Sequence, residues 1–185
     1  MAHPKSTNSN YRLIQFLSHQ PLQLGRFIAG FVARLLNNFQ LSKLSKIIQL
    51  NLQIAFPEAS QQEINQLKKQ VIKNELTSYF EFVSIWGASN EKNIQRIHKI
   101  HNEHYFHEAL AEKKGLVLIM PHLGTWEVMN AWFAQYTAMT IMYKPIKNAD
   151  ADRFVREARS RENANLVPTD ESGVRQIFKA LKQGG

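Results

Sequence analysis

Between Gly115 and Tyr143 the chain switches its hydrophobic period twice, and this alternation restricts the available folds more than any other feature. Gly115 to Met120 is a short apolar run of the kind that forms a buried strand, and Pro121 and Gly124 end it. Residues 125 to 135 then read as helix and 139 to 143 as a second strand. That order predicts parallel strands joined by a crossover helix. The alternation continues with a helix over 150–162, a strand over 165–167, and a helix over 174–182 that closes at Gly184-Gly185. Upstream the chain is helical. Ser42 to Ile54 reads as helix and Phe56-Pro57 breaks it. Ser60-Gln61-Gln62-Glu63 is a capping-box pattern that opens the next helix, which runs to Gly87. A short strand is expected from Arg96 and a helix over 102–113. The fold class is therefore α/β, with a helical N-terminal part followed by a mostly parallel or mixed sheet flanked by helices. Its length of 185 residues suffices for one domain with a substantial core.

Chemistry is expected where the first strand turns into helix, because His122 and Glu127 lie there. On a continuous helix, residues five apart are separated by roughly 140° in azimuth. With His122 ending the strand and Glu127 in the first helical turn, the loop can fold the carboxylate back toward one imidazole nitrogen. The other nitrogen then faces a substrate, as in a base and its orienting partner. The plainer alternative is a loop histidine followed by a glutamate that satisfies a helix dipole.

The sequence around this pair, Pro121-His122-Leu123-Gly124-Thr125-Trp126-Glu127 after an apolar strand opened by Lys114-Gly115, resembles the H-x4-D/E block of the bacterial lipid A late acyltransferases. Further stretches agree in order and spacing: Asn51-Leu52 with Phe56-Pro57, Tyr143-Lys144-Pro145 with Asn148, and Arg159-Ser160-Arg161. The resemblance covers about residues 45 to 185 and implies a glycerol-3-phosphate acyltransferase-like fold. It implies that His122 deprotonates a hydroxyl of a lipid A precursor, that Glu127 orients and charge-balances His122, and that the hydroxyl attacks an acyl thioester on acyl carrier protein. It further implies action in lipopolysaccharide or lipooligosaccharide biosynthesis at the cytoplasmic face of the bacterial inner membrane. Family members continue past a glycine such as Gly185 into a further strand and a Leu-Pro-Asp-Gln-like block, so the C-terminal strands are expected to be missing. A natural truncation, a fragment and a protein that lost its remainder are the open explanations, and an inactive fragment or a non-catalytic membrane- or carrier-binding module is the alternative function.

The residues permit direct transfer. A thioester is already activated, so a base, charge stabilisation and positioning suffice without a cofactor or metal. The chain has no cysteine, which excludes an acyl-cysteine intermediate, a thiolate metal site and a disulfide. His98, His101, His104 and His107 are spaced by three, but they spread around a helix, and Asn102 reads as a cap dividing them. They match zinc patterns weakly.

A formal net charge of +8 implies anionic partners. No Asp or Glu precedes Glu58, whereas Lys5, Arg12, Arg26, Arg34, Lys43 and Lys46 all do. Leu24, Phe27, Ile28, Phe31, Val32, Leu35, Leu36 and Phe39 recur at helical spacing. Arg26 and Arg34 interrupt the stretch, favouring a helix that lies on a membrane of anionic phosphates over one that crosses it. The alternative is a stripe packed into the protein's own core. Residues 1–41 are accordingly expected to form a basic membrane-associating segment and residues 42–185 the α/β domain. Arg153, Arg156, Arg159 and Arg161 load one later helix with charge. Arg159, Arg161, Arg156 and Lys144 are the candidate substrate-binding residues, docking phosphate or an acidic carrier surface. A solvated face paired with Asp152, Glu157 and Glu162 is the alternative for Arg153, Arg156 and Arg161. Nucleic acid is not expected as a partner, because no aromatic-basic platform, zinc finger or glycine-rich loop is present.

Overall fold

The computed structural model describes residues 9–39 and 43–184. Lys5, Ser42 and Gly185 lie outside the described residues, as does any side-chain placement for Phe39 and Lys43. The element order is α1 (Ser9–Ser18), α2 (Leu22–Phe39), α3 (Lys43–Ala55), α4 (Gln61–Gly87), α5 (Asn90–Ile94), α6 (Glu103–Ala111), α7 (Val128–Phe133), β1 (Met139–Met142), α8 (Ala149–Arg161), β2 (Ala164–Val167) and α9 (Glu171–Lys182). The chain divides into two compact units, one of residues 20–84 and one of residues 1–19 with 85–185.

In the unit of residues 20–84, Ala33, Ile48 and Ile72 form a small core against which Leu52, Val71 and Leu76 pack. Helix α2 turns its small side inward: Ala29 and Ala33 are buried, and a Cβ on Gly25 would meet Phe80 at 3.1 Å. Of its larger apolar residues, Phe27 is 73% and Phe31 59% exposed, while Ile28, Val32 and Leu36 are half-buried. The stripe is thus divided between exposed and half-buried positions. The capping box forms as expected. Glu63 accepts from the Ser60 backbone N–H at 2.7 Å and from its hydroxyl at 2.8 Å, while the Ser60 hydroxyl accepts from the Glu63 N–H at 3.3 Å. These bonds satisfy donors that the first turn of α4 would otherwise leave unpaired.

The other unit carries the sheet. Strands β1 and β2 pair in parallel with Met139 opposite Ala164 and Met142 opposite Val167, and the Tyr143 N–H extends the ladder to the Val167 carbonyl at 2.8 Å. Helix α8 is the crossover between them, as the alternation predicted. Asn148 starts it by accepting from the N–H groups of Asp150 and Ala151, and Asp170 caps α9 in the same way. Phe106, Trp132 and Phe133 form this unit's core with Leu110, Leu116 and Met139 packed on it.

Two expected strands are corrected. Residues 115–120 are not a buried strand: among the described residues they pair with no strand, and Val117 and Ile119 are 66% and 91% exposed. An apolar run becomes a strand only where a neighbour supplies ladder partners, and β1 and β2 supply each other alone. The segment from Arg96 is likewise irregular. Helix α7 is shorter than the expected 125–135, with turns on both sides. Asn102 precedes α6 with φ 58° but makes no side-chain capping bond.

Candidate active site

The turn between the apolar segment and α7 brings Glu127 inward and leaves His122 outside. Gly124 bends the chain at φ +57°, and the N–H groups of Val128, Met129 and Asn130 close the first turn on the carbonyls of Thr125, Trp126 and Glu127. Glu127 is only 2% exposed, yet its side chain makes no capping bond to α7. It is held by three side-chain donors, one on α7 itself and two from outside it. Arg159 of α8 donates to Oε1 in a short ion pair, while the Trp86 indole N–H and the Asn130 amide each donate to Oε2 at 3.1 Å. A buried carboxylate needs this degree of compensation to remain charged.

The direct contact expected between His122 and Glu127 is not formed. The imidazole stacks on Trp126, with centroids 4.7 Å apart and planes 14° from parallel. His122 stands instead on the wall of a cavity of about 670 Å³, with Trp86, Asn130, Lys144 and Arg159 among its other polar members. The rest of the wall is mostly apolar, supplied by Leu116, Met120, Phe133, Met139, Ile141 and Leu181 among others. The structure thus places three sequence-derived candidates, His122, Lys144 and Arg159, on one cavity, with Glu127 bound to one of them.

Arg159 is buried and its guanidinium also lies 5.1 Å from the centroid of the Tyr143 ring. Tyr143 donates from its hydroxyl to Asp152 at 2.7 Å, and Asp152 also accepts from the Ile146 N–H at 2.8 Å. These bonds brace the Tyr143-Lys144-Pro145 turn against α8. Burial, then the bond to Asp152, raises the Tyr143 phenol above its ordinary pKa.

The remaining arginines are placed differently. Arg156 pairs with Asp152 at 2.7 Å and Arg153 with Glu157 at 2.8 Å, both as i,i+4 pairs on α8. Arg161 donates to the Trp86 carbonyl. Arg153, Arg156 and Arg161 line a separate recess of about 770 Å³ with Asp152, Glu157 and Ser160. Glu162, expected as a partner on a solvated face, is 2% exposed instead. Burial, then the nearby Glu127 charge, pushes its carboxyl up to about 7, against the attraction of Arg159 and Arg161 and a bond with Asn130.

Trp86, Asn130 and Glu162 were not singled out as site residues by the sequence. Only Glu162 carried a signal, because it follows Arg159 by three and so returns to the same side of the helix. Of the four spaced histidines, His98, His101 and His104 are exposed, and His107 packs against Phe106, Trp132 and Tyr136. Among the described residues, no group of three or more His, Cys, Asp or Glu side chains could hold a metal ion.

Comparison with known proteins bears on this arrangement. The sequence profile of the bacterial lipid A biosynthesis acyltransferases matches residues 11–185. The lipid A biosynthesis lauroyltransferase of Escherichia coli (strain K12) is 26% identical over 151 residues, which are 78% of this chain and 46% of that protein. The chain thus spans about half the length of the curated relative it matches.

Proposed function

The chain belongs to the bacterial lipid A biosynthesis acyltransferase family, and on that premise we propose that it transfers a fatty acyl group from acyl carrier protein to a hydroxyl of a lipid A precursor. The observation that carries this reading is the placement of His122 on a largely apolar cavity whose polar wall includes Arg159, itself clamped by buried Glu127. The apolar wall suits an acyl chain, and its size falls within the range of small-ligand pockets. The architecture of a parallel pair with a crossover helix supports a glycerol-3-phosphate acyltransferase-like fold.

His122 takes the proton of the attacking hydroxyl. The hydroxyl oxygen then bonds to the thioester carbonyl carbon, and the carbonyl oxygen becomes an oxyanion. Collapse breaks the carbon–sulfur bond, and the imidazolium returns the proton to the leaving thiolate. A positioned base of this kind contributes roughly 10²–10⁴ in rate. Lys144 and Arg159 supply positive charge beside the cavity, where a low-dielectric wall strengthens their hold on an oxyanion or a phosphate. Glu127 acts by fixing Arg159, with Trp86 and Asn130 fixing Glu127. Arg156 and Arg161 reach anionic substrate groups from the neighbouring recess.

Membrane association is part of the same proposal. No helix among the described residues is long and apolar enough to cross a membrane. The outward Phe27 and Phe31, with Arg34 exposed on the same helix, support binding at a membrane surface bearing anionic phosphates. The cytoplasmic face of the bacterial inner membrane is part of the proposal through the family premise alone. The test is transfer from a labelled acyl carrier protein thioester to a lipid A precursor in detergent. Product formed by this chain supports the reading. A folded chain that binds acyl carrier protein but forms no product supports the non-catalytic alternative.

A further inference from the structure

Two buried carboxylates lie in the field of one buried guanidinium in this unit, and only one of them, Glu127, is paired with it. Glu127 enters from the turn before α7, and Glu162 follows the last turn of α8, which also carries Arg159. Each glutamate is 2% exposed and Arg159 8% exposed. The guanidinium is committed to Glu127 through its Nη2, while Arg159 Nε and Glu162 Oε2 have no hydrogen-bond partner among the described residues. An unused donor and an unused acceptor therefore lie in one buried cluster with an existing ion pair. The charged groups facing Glu162 are Glu127 from the turn before α7 and Arg159 and Arg161 from α8, with the neutral Asn130 amide in reach of both carboxyls.

With Arg161 exposed and its charge screened by solvent, two buried carboxylates and one buried guanidinium leave one negative charge poorly compensated inside the protein, an arrangement that favours a proton on one carboxyl. Glu127 has three donors and suits the charged form. Glu162 has the weaker set and suits the neutral form. We propose that Glu162 is a positioning residue acting through Arg159: uncharged, it leaves the guanidinium to Glu127, and on losing its proton it draws Arg159 Nε toward itself and loosens the Glu127 clamp. The proton exchanges with solvent and no other group is consumed. Its consequence for transfer rests on the acyltransferase reading, whereas the rearrangement itself does not.

The rise of the Glu162 carboxyl to about 7 places the exchange near neutrality. With a midpoint there, the ionised fraction goes from about one tenth at pH 6 to about nine tenths at pH 8. A glutamate that titrated without drawing on Arg159 would leave the Arg159 Nε–H unmoved through that range.

The test follows the indole N–H resonance of Trp86, which reports on Glu127 Oε2, and the Nε–H resonance of Arg159 in the ¹⁵N-labelled 185-residue chain from pH 5.5 to 8.5. Both are expected to move together with a midpoint near 7, to keep that midpoint in His122→Ala, and to stay flat in Glu162→Gln. Flat resonances in the wild type, a transition surviving in Glu162→Gln, or one abolished by His122→Ala overturns the proposal. Should Glu162→Gln not fold, the wild type and His122→Ala decide through Arg159, because a stationary Nε–H refutes the exchange directly. In a chain that transfers, kcat is expected to fall up to about tenfold from pH 6 to 8 relative to Glu162→Gln. No transfer at any pH sinks the acyltransferase reading and leaves the resonance result standing.

Discussion

Arg159→Met tests the clamp where it is most exposed to refutation. The substitution retains an unbranched apolar stem but removes the guanidinium that meets Glu127 Oε1. Glu127, 2% exposed, keeps two neutral donors, Trp86 and Asn130, and loses its counter-charge. Breaking a buried pair from one side costs about 3–5 kcal/mol, because the remaining charge is stranded, whereas an exposed pair is worth about 0–1 kcal/mol. The low exposure of both partners decides for the larger figure. All three tryptophans, Trp86, Trp126 and Trp132, fall in the unit that includes residues 85–185, so urea unfolding followed by tryptophan fluorescence reads that unit. Arg159→Met is expected to lose about 3 kcal/mol or more. Adding Glu127→Gln removes the stranded charge, so the double variant is expected to lose less than the two singles added together, with about 1–3 kcal/mol of coupling. A loss below about 1 kcal/mol in Arg159→Met, or additive variants, refutes the buried clamp.

The pH dependence of stability follows from Glu162, whose folded carboxyl is raised from 4.5 to about 7. Its stabilising share is fully present below about pH 4.5 and is lost as pH rises through about 7, up to about 3 kcal/mol in all; thermal unfolding of Glu162→Gln is expected to lack this decline. Ser60→Ala removes the reciprocal bonds that open α4 and is expected to cost about 1 kcal/mol, measured by far-ultraviolet circular dichroism during urea unfolding. Gly115→Ala is expected to cost more than about 1 kcal/mol by tryptophan fluorescence. Gly115 has φ +82°, and an added Cβ would lie 2.6 Å from the Leu181 carbonyl oxygen, a backbone atom that cannot yield cheaply.

Features set by neighbours in sequence were legible without the structure. The Ser60/Glu63 box needs only residues three apart, and the parallel pairing of 139–142 with 164–167 follows from an apolar run, a helix and a second run. The 115–120 segment was not legible, because its apolar composition is equally consistent with a paired strand and with the irregular, partly exposed chain found there. At the site, His122, Glu127, Lys144 and Arg159 were visible as residue types in a spaced pattern. Their connections were not: Glu127 meets Arg159 across 32 residues and Trp86 across 41, so no local period announces either bond. A similar separation hid the burial of Glu162, because the helix before it mixes acidic, basic and apolar residues with no sign of which charged group turns inward.

His122 is the base on the cavity wall on which the proposed transfer depends most, and chemical rescue reaches that role directly. His122 is exposed, so His122→Ala is expected to change stability by no more than about 0.5 kcal/mol. In the thioester transfer assay the variant is expected to lose about 10²–10⁴ in kcat and to recover part of that loss on adding free imidazole, with a rate that rises with the fraction of unprotonated imidazole. Transfer by His122→Ala at the wild-type rate would contradict the account.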